Sequence, residues 1–174
     1  VTNAENFYTI CTKNGIDPRF IFAIGIHESY FGTSNIANTK GNFWGWGAID
    51  SNPMGGAHNF DDMSNGIESV SSGLAKWAFD TNSWQYKKIK QNGLEPGTID
   101  GIGSIYASDK NWATAVKKHM STIFGYTGSS GEANATGMQE KIVKIAKSQN
   151  TLGCQSGYCQ KWVANVYAKA GQSR

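Results

Sequence analysis

Cysteine is scarce in this chain, with three residues in 174, and so few cannot build a fold held together by disulfides. Cys11 shares an apolar helix face with Phe7 and Ile10, which predicts that its thiol packs in the core. Cys154 and Cys159 are close enough in sequence to pair with each other, although either could instead be a free thiol.

Long apolar runs are also missing. No stretch approaches the ~18 consecutive apolar residues that a membrane span needs, so we expect no transmembrane segment. Charged residues make up only 17% of the chain and the formal net charge is +3, which does not indicate nucleic acid as a partner. No signal peptide begins at Val1, so we expect an exported form to be represented here by a mature or shortened segment.

Metal-binding patterns are absent as well. Histidine, cysteine and carboxylate residues do not recur at ligand spacing, so we expect neither a metal nor another cofactor. His119 shares a helix face with Trp112 and Val116, which favours a core role for the imidazole over a ligand role.

The most apolar segment of the sequence runs from Asp17 to Gly32. Asp17 suits a helix N-cap, Pro18 suits the first helical position, and Gly32 favours the end of a helix. The helix predicted between them is apolar on nearly every side, which places it at the centre of a small domain.

Glu28 is the one carboxylate between Pro18 and Gly32, and it lies near the C-terminal end of the predicted helix. Apolar surroundings and the helix dipole both disfavour its charged form, so they predict a raised pKa, as a general acid needs. The alternative is a carboxylate that reaches solvent at a frayed helix end, and the helix alone does not decide between the two.

A run rich in aromatic residues and glycine follows this helix. Three aromatic residues, Phe43, Trp44 and Trp46, alternate with glycines up to Gly47. Aromatic faces can stack on sugar rings, and glycine lets a ligand approach the backbone closely. Some of these rings could instead fill the core.

Two motifs resemble those of the bacterial endo-β-N-acetylglucosaminidases of the autolysin type. They are ESYFGTS at residues 28–34 and NFWGWGAIDSNP at residues 42–53. That family comprises lysozyme-like enzymes that cut the glycan strands of peptidoglycan. The resemblance therefore implies a mostly α (α+β) fold, in which a helical lobe around the central helix and a small irregular β lobe flank a cleft. The glycines and proline within residues 35–60 fit loops and a short hairpin there.

Three residues are candidates for catalysis. The resemblance makes Glu28 the general acid that protonates the leaving oxygen of a glycosidic bond. Asp50, in the second motif, is a candidate partner, although its side chain could equally form an Asx turn. Tyr106 opens the motif YASDKNW, in which the family places a tyrosine beside the acid, while Asp109 and Trp112 are expected to be structural.

Six further residues are candidates for substrate contact: His27, Tyr30, Phe43, Trp44, Trp46 and Asp61. Asp61 and Asp62 precede a helix predicted from Ser64, so the helix N-terminus is the stronger explanation for both carboxylates. Whether the reaction retains or inverts configuration depends on the distance between the carboxyl groups, which spacing does not give.

The composition of residues 127–137 is typical of a linker, so we expect one domain at 1–126 and a further segment at 138–174. That segment resembles the start of a papain-like peptidoglycan amidohydrolase, in which Cys159 would open the nucleophile helix. This class needs a histidine further along the chain, so Cys159 is expected to lack its partner here and to serve as a buried or disulfide-bonded cysteine.

The sequence therefore predicts a monomeric, extracellular peptidoglycan hydrolase that cleaves the β-1,4 bond after N-acetylglucosamine. A muramidase or a lytic transglycosylase would keep the fold and the acid but change the bond. A wall-binding module without catalysis is the non-enzyme alternative. Such domains occur in autolysins, phage lysins and conjugation systems, and the sequence does not choose among them.

Overall fold

The computed structural model describes residues 4–125, which fold into eight helices without a strand. They are α1 (Ala4–Lys13), α2 (Pro18–Ser29), α3 (Asn35–Lys40), α4 (Pro53–Gly56), α5 (Met63–Phe79), α6 (Trp84–Gln91), α7 (Ile99–Tyr106) and α8 (Trp112–Phe124). The mostly helical, lysozyme-like prediction is confirmed. The linker, the segment 138–174 and the cysteines Cys154 and Cys159 lie outside the described residues.

The predicted small β lobe is not found between residues 4 and 125. Residues 35–60 form α3, a series of turns and α4 instead. The side chain of Ser34 caps α3, and the side chain of Asn52 caps α4 by accepting from the Gly55 N–H. These local hydrogen bonds favour short helices and turns, whereas the segment lacks the alternating apolar pattern that a strand requires.

Helix α2 is the centre of the fold, as its apolar sequence predicts. The Asp17 carboxylate accepts from the Arg19 N–H at 2.8 Å, and Pro18 occupies the first turn. The helix packs most extensively against α8 and also contacts α1 and α5. At the C-terminal end of α8, Phe124 lies beside Phe22 of α2, with ring centroids 5.6 Å apart.

The C-terminal end of α2 has an unusual backbone. The helix ends at Ser29, and Tyr30, Phe31 and Gly32 then adopt positive φ angles of 50°, 61° and 79°. Two consecutive aromatic residues in this region are uncommon, because a side chain there crowds the backbone. The buried Ser29 hydroxyl offsets part of that cost by donating to the Gly25 carbonyl and accepting from the Gly32 N–H at 2.7 Å.

The loop that follows α3 is organised by a buried asparagine. The Asn42 side-chain oxygen accepts from the backbone N–H groups of Trp44 and Trp46, and its amide donates to the carbonyls of Trp46 and His58. The Trp44 indole donates to the Ile21 carbonyl at 2.9 Å. Because these bonds satisfy buried polar groups on both sides, the loop is fixed against α2.

Two further observations concern only this part of the chain. Within residues 4–125, none of the helices combines the length and apolar character that a membrane crossing requires. In the same range, no three His, Cys, Asp or Glu side chains are grouped so that they could hold a metal ion.

Candidate active site

Glu28 occupies the last turn of α2, and its two carboxyl oxygens have different surroundings. Oε1 accepts a hydrogen bond from the Trp112 indole N–H at 2.6 Å. Oε2 faces Gly45, where a Cβ atom would lie 3.3 Å from it. The carboxyl group is therefore fixed through one oxygen, while the glycine keeps space beside the other.

Burial raises the pKa of Glu28 above its ordinary value. The hydrogen bond from Trp112 and the charge of His27 act in the opposite direction without cancelling this effect. The raised pKa that the sequence predicted is confirmed. A carboxyl group of this kind keeps its proton to higher pH than an exposed glutamate, as a proton donor must.

Tyr106 and Glu28 both contact Trp112, so the tyrosine lies close to the acid. Its ring stacks on Trp112 with centroids 4.8 Å apart, and its hydroxyl donates to the Trp44 carbonyl at 2.6 Å. Burial, followed by the charge of Glu28, raises the pKa of Tyr106 well above its ordinary value. The phenol therefore stays neutral. Its hydrogen bond to the Trp44 carbonyl links α7 to the loop that carries Gly45.

Among residues 4–125, no hydrogen bond joins Glu28 to Asp50, the predicted partner, or to Asp61 or Asp62. Asp50 is exposed in the turn before α4, and no hydrogen bond joins it to another side chain among residues 4–125. Asp61 is exposed just before α5, and its role in binding stays a prediction. Asp62 accepts from the Asn65 N–H at 2.9 Å, which confirms its helix-capping explanation.

Two of the predicted sugar-stacking rings are core residues, which corrects the sequence analysis. Phe43 and Trp44 are 6% and 2% exposed, so neither ring offers a face to a ligand. Phe43 packs edge-on against Trp44, whose indole N–H is already satisfied by α2. Their side chains position the loop, so direct contact with a substrate is left to the loop backbone and to Trp46.

The remaining predicted contact residues lie at or near the surface around Glu28. His27 is half-buried, with Trp112 edge-on to it and His119 5.7 Å away between ring centroids. His119 is half-buried instead of fully in the core, and its burial lowers the pKa of the imidazole. Tyr30 is 75% exposed, and Trp46 is half-buried. Their predicted contacts with a substrate stay predictions.

Sequence reasoning missed two tryptophans that complete the site. It treated Trp112 as structural, whereas its indole is the hydrogen-bond donor to Glu28. It did not single out Trp77, a half-buried ring of α5 that stacks on Trp46 with centroids 5.3 Å apart. The motif YASDKNW contains Trp112, but nothing in the motif shows which atom its N–H will meet.

The Glu28 carboxyl group, whose pKa is raised by burial, lies next to a wall of aromatic rings. Glu28 can give a proton to an oxygen that arrives beside Gly45. Trp46, Trp77 and Tyr106 lie within 6.2 Å of one another between ring centroids and form the wall beside it. A proton donor next to stacking surfaces suits cleavage of a bond between sugars.

Comparison with known proteins agrees with this geometry. The sequence model of the glucosaminidase family, described as mannosyl-glycoprotein endo-beta-N-acetylglucosaminidase, matches residues 4–124. Two proteins of Streptococcus pneumoniae, from the serotype 4 strain and strain R6, are provisionally named endo-beta-N-acetylglucosaminidases. Each is 32% identical over 114 residues, which cover 62% of this chain and 15% or 14% of the relative.

The chain thus spans about one seventh of the length of these curated relatives. No solved structure matches it significantly. The family match covers well over half of the sequence and includes every helix described above. The chain belongs to the glucosaminidase family of glycoside hydrolases.

Proposed function

We propose that this domain hydrolyses the β-1,4 bond that follows N-acetylglucosamine in peptidoglycan, with Glu28 as the general acid. The observation that carries the proposal is the Glu28 carboxyl group, which is held by the Trp112 indole and has a raised pKa. Family membership supports a glycoside hydrolase. The aromatic wall beside the acid supports a glycan substrate.

The two oxygens of Glu28 suggest how the proton is delivered. Since Oε1 accepts from Trp112, the proton resides on Oε2, which faces Gly45. A glycosidic oxygen seated there takes this proton as the bond to the sugar carbon breaks. Water then supplies hydroxide to that carbon and returns a proton to Glu28, so the carboxyl group is regenerated.

Positive charge develops at the sugar carbon during this step and needs a negative partner. Asp50 is one candidate, and the acetamido oxygen of the substrate is the other. Asp50 lies in an exposed turn without a fixed side-chain partner in the described range, so a role for it requires substrate to order the turn. Turnover that persists in an Asp50→Asn variant would favour the substrate's own acetamido group.

The test is digestion of purified peptidoglycan by the wild type and by Glu28→Gln, followed by borohydride reduction and mass spectrometry. We expect reduced N-acetylglucosamine ends from the wild type only. Reduced N-acetylmuramic acid ends would move the enzyme to the muramidases, and anhydro ends to the lytic transglycosylases. An absence of new ends, with binding to the wall retained, would indicate the binding module.

We further propose that the protein acts outside the cell, at the wall, as a monomer. A substrate of this kind is extracellular, and Glu28, Trp112 and Gly45 all come from one chain. Size-exclusion chromatography with light scattering tests the oligomeric state. A dimer that loses turnover on dilution would contradict it.

A further inference from the structure

A continuous band of aromatic rings leads away from Glu28. Tyr106 stacks on Trp112, and its ring centroid lies 6.2 Å from that of Trp46 and 6.0 Å from that of Trp77. The rings of Trp46 and Trp77 are stacked on each other. We call Tyr106, Trp46 and Trp77, together with Trp84, whose indole N–H shares an acceptor with that of Trp77, the aromatic band.

Trp84 is the outermost member of this band. It is the first residue of α6, and its ring is 66% exposed. With the Gln85 amide oriented so that its oxygen faces the indoles, that oxygen accepts from Trp77 at 3.0 Å and from Trp84 at 3.3 Å. The shared acceptor fixes the exposed ring in orientation, so little side-chain freedom is lost when a ligand stacks on it.

Two cations lie on the same face of α6 as Trp84. Lys87 and Lys88 follow it by three and four residues, which brings them alongside the indole on the helix surface. Both are exposed, and no salt bridge in the described range involves either of them. Lys90 differs, because its ammonium group is paired with Glu95 at 2.7 Å.

We propose that Trp84, Gln85, Lys87 and Lys88 form a distal subsite for a carboxylate-bearing sugar of the glycan strand whose bond lies at Glu28. The indole stacks on the sugar ring, and the two ammonium groups attract its carboxylate. Continuity with the candidate active site identifies the occupant as the same strand. The inference rests on the proposed function for that identity.

The first test measures binding, so it does not depend on cleavage. In the Glu28→Gln background, calorimetry compares a disaccharide with long, peptide-free glycan strands released from peptidoglycan. We expect Trp84→Ala to weaken binding of the long strands about threefold to tenfold and to leave the disaccharide unchanged. Trp84→Phe is expected to restore most of the affinity.

Phe79→Ala is the matched control. Phe79 is 59% exposed, but it lines a separate pocket of about 250 Å³ with Asp17 and Thr98, at the N-terminal end of α2. Removing this ring should not alter binding of either ligand. Equal weakening of long and short ligands by Trp84→Ala, or no weakening of either, would overturn the proposal.

The second test separates the charged part of the subsite. We expect the double variant Lys87→Gln, Lys88→Gln to weaken binding of the peptidoglycan strands, and the loss should shrink at high salt. Neutral oligomers of N-acetylglucosamine should bind as before. An unchanged affinity for the carboxylate-bearing strands would remove the lysines from the subsite.

If Trp84→Ala has the expected effect while the wild type produces no new sugar ends, the subsite stands and the proposed function fails.

Discussion

The two ends of α2 differ in how their charged groups and backbone affect the stability of the fold. At the N-terminus, Asp17 caps the helix, forms an ion pair with Arg19 and places negative charge where the helix dipole favours it. At the C-terminus, Glu28 places a carboxyl group where the dipole disfavours charge, and Tyr30 and Phe31 adopt left-handed conformations. One end stabilises the fold, whereas the other accepts energetic costs in order to hold a reactive group.

The comparison teaches where function can be sought in a small helical domain. At the first end, the cap and the ion pair of Asp17 lower the free energy of the folded state. The second end combines burial of an ionisable group with strained backbone, which persist only where the surroundings over-determine them.

The largest effect is expected for Glu28→Gln. Turnover should be lost, because the amide cannot act as the acid, while the Trp112 N–H still has an oxygen to donate to. The folded pKa of Glu28 is raised, so its charged form costs stability once the pH rises through that pKa. We therefore expect the variant to melt at or above the wild-type temperature at neutral pH, and this gain to vanish in acid.

Turnover assays and thermal denaturation at several pH values check both parts. A variant that melts well below the wild type at neutral pH would contradict the raised pKa. Retained turnover would instead remove Glu28 from the role of acid.

The next effect is expected for Gly45→Ala. Gly45 has a φ of +60°, and a Cβ would enter the space beside Glu28 Oε2. We expect a loss of about 1–2 kcal/mol in the free energy of unfolding from backbone strain. Turnover should fall further than this loss explains, because the methyl group occupies the position of the leaving oxygen.

Gly93→Ala separates the two contributions. Gly93 has a φ of +76°, and a Cβ added there would meet nothing within 4 Å, so this variant carries similar strain in open space. We expect a comparable loss of stability by chemical denaturation with normal turnover. Equal turnover in the two variants would show that the space beside Oε2 is not used.

A smaller effect is expected for Trp112→Phe. Phenylalanine keeps an aromatic ring next to Tyr106 but removes the N–H that holds Oε1. Because this hydrogen bond lowers the pKa of Glu28, we expect the alkaline limb of the kcat/KM profile to move to higher pH. We also expect kcat to fall while KM changes little, because the carboxyl group loses its fixed orientation.

Trp44→Phe is the control for loss of a buried indole. Trp44 donates to the Ile21 carbonyl instead of to the acid. Its loss should lower the melting temperature without moving the pH profile. If Trp44→Phe shifts the pH profile of kcat/KM as Trp112→Phe does, the shift results from lost packing and not from the lost hydrogen bond to Glu28.

The smallest effect on turnover is expected at the other end of the helix. Asp17→Ala removes the N-cap and the ion pair with Arg19, so we expect a loss of about 0.5–2 kcal/mol in the free energy of unfolding. Activity at a temperature well below unfolding should stay normal. A pH profile altered by this variant would mean that the two ends of α2 are coupled.

Local chemistry made the helices predictable. The apolar period of α2, its Asp17 cap and its proline lie within a few residues of one another, so the sequence shows where the helix begins. The predicted position of the C-terminal end was less accurate, since the helix ends at Ser29, three residues before Gly32, the glycine that was expected to stop it. There the buried Ser29 hydroxyl permits two aromatic residues to adopt the left-handed region.

The aromatic run after α3 shows why the site was harder to predict. Residue type identifies Phe43, Trp44 and Trp46 as able to stack on a sugar, but it does not show which rings face the core. The bonds of Asn42 turn the loop so that Phe43 and Trp44 are buried and Trp46 stays half-exposed. The same bonds replace the expected β hairpin with turns.

A mostly helical domain, its apolar central helix and a solitary carboxyl group in the last turn of that helix can all be predicted from the sequence. These properties depend on periodicity and on neighbours along the chain. The packing of the helices is needed to see that Trp112, 84 residues away, donates to Glu28 and that the Tyr106 hydroxyl of α7 donates to the Trp44 carbonyl. Periodicity shows which face of a helix is apolar, but the atom that meets each side chain depends on how the helices pack together.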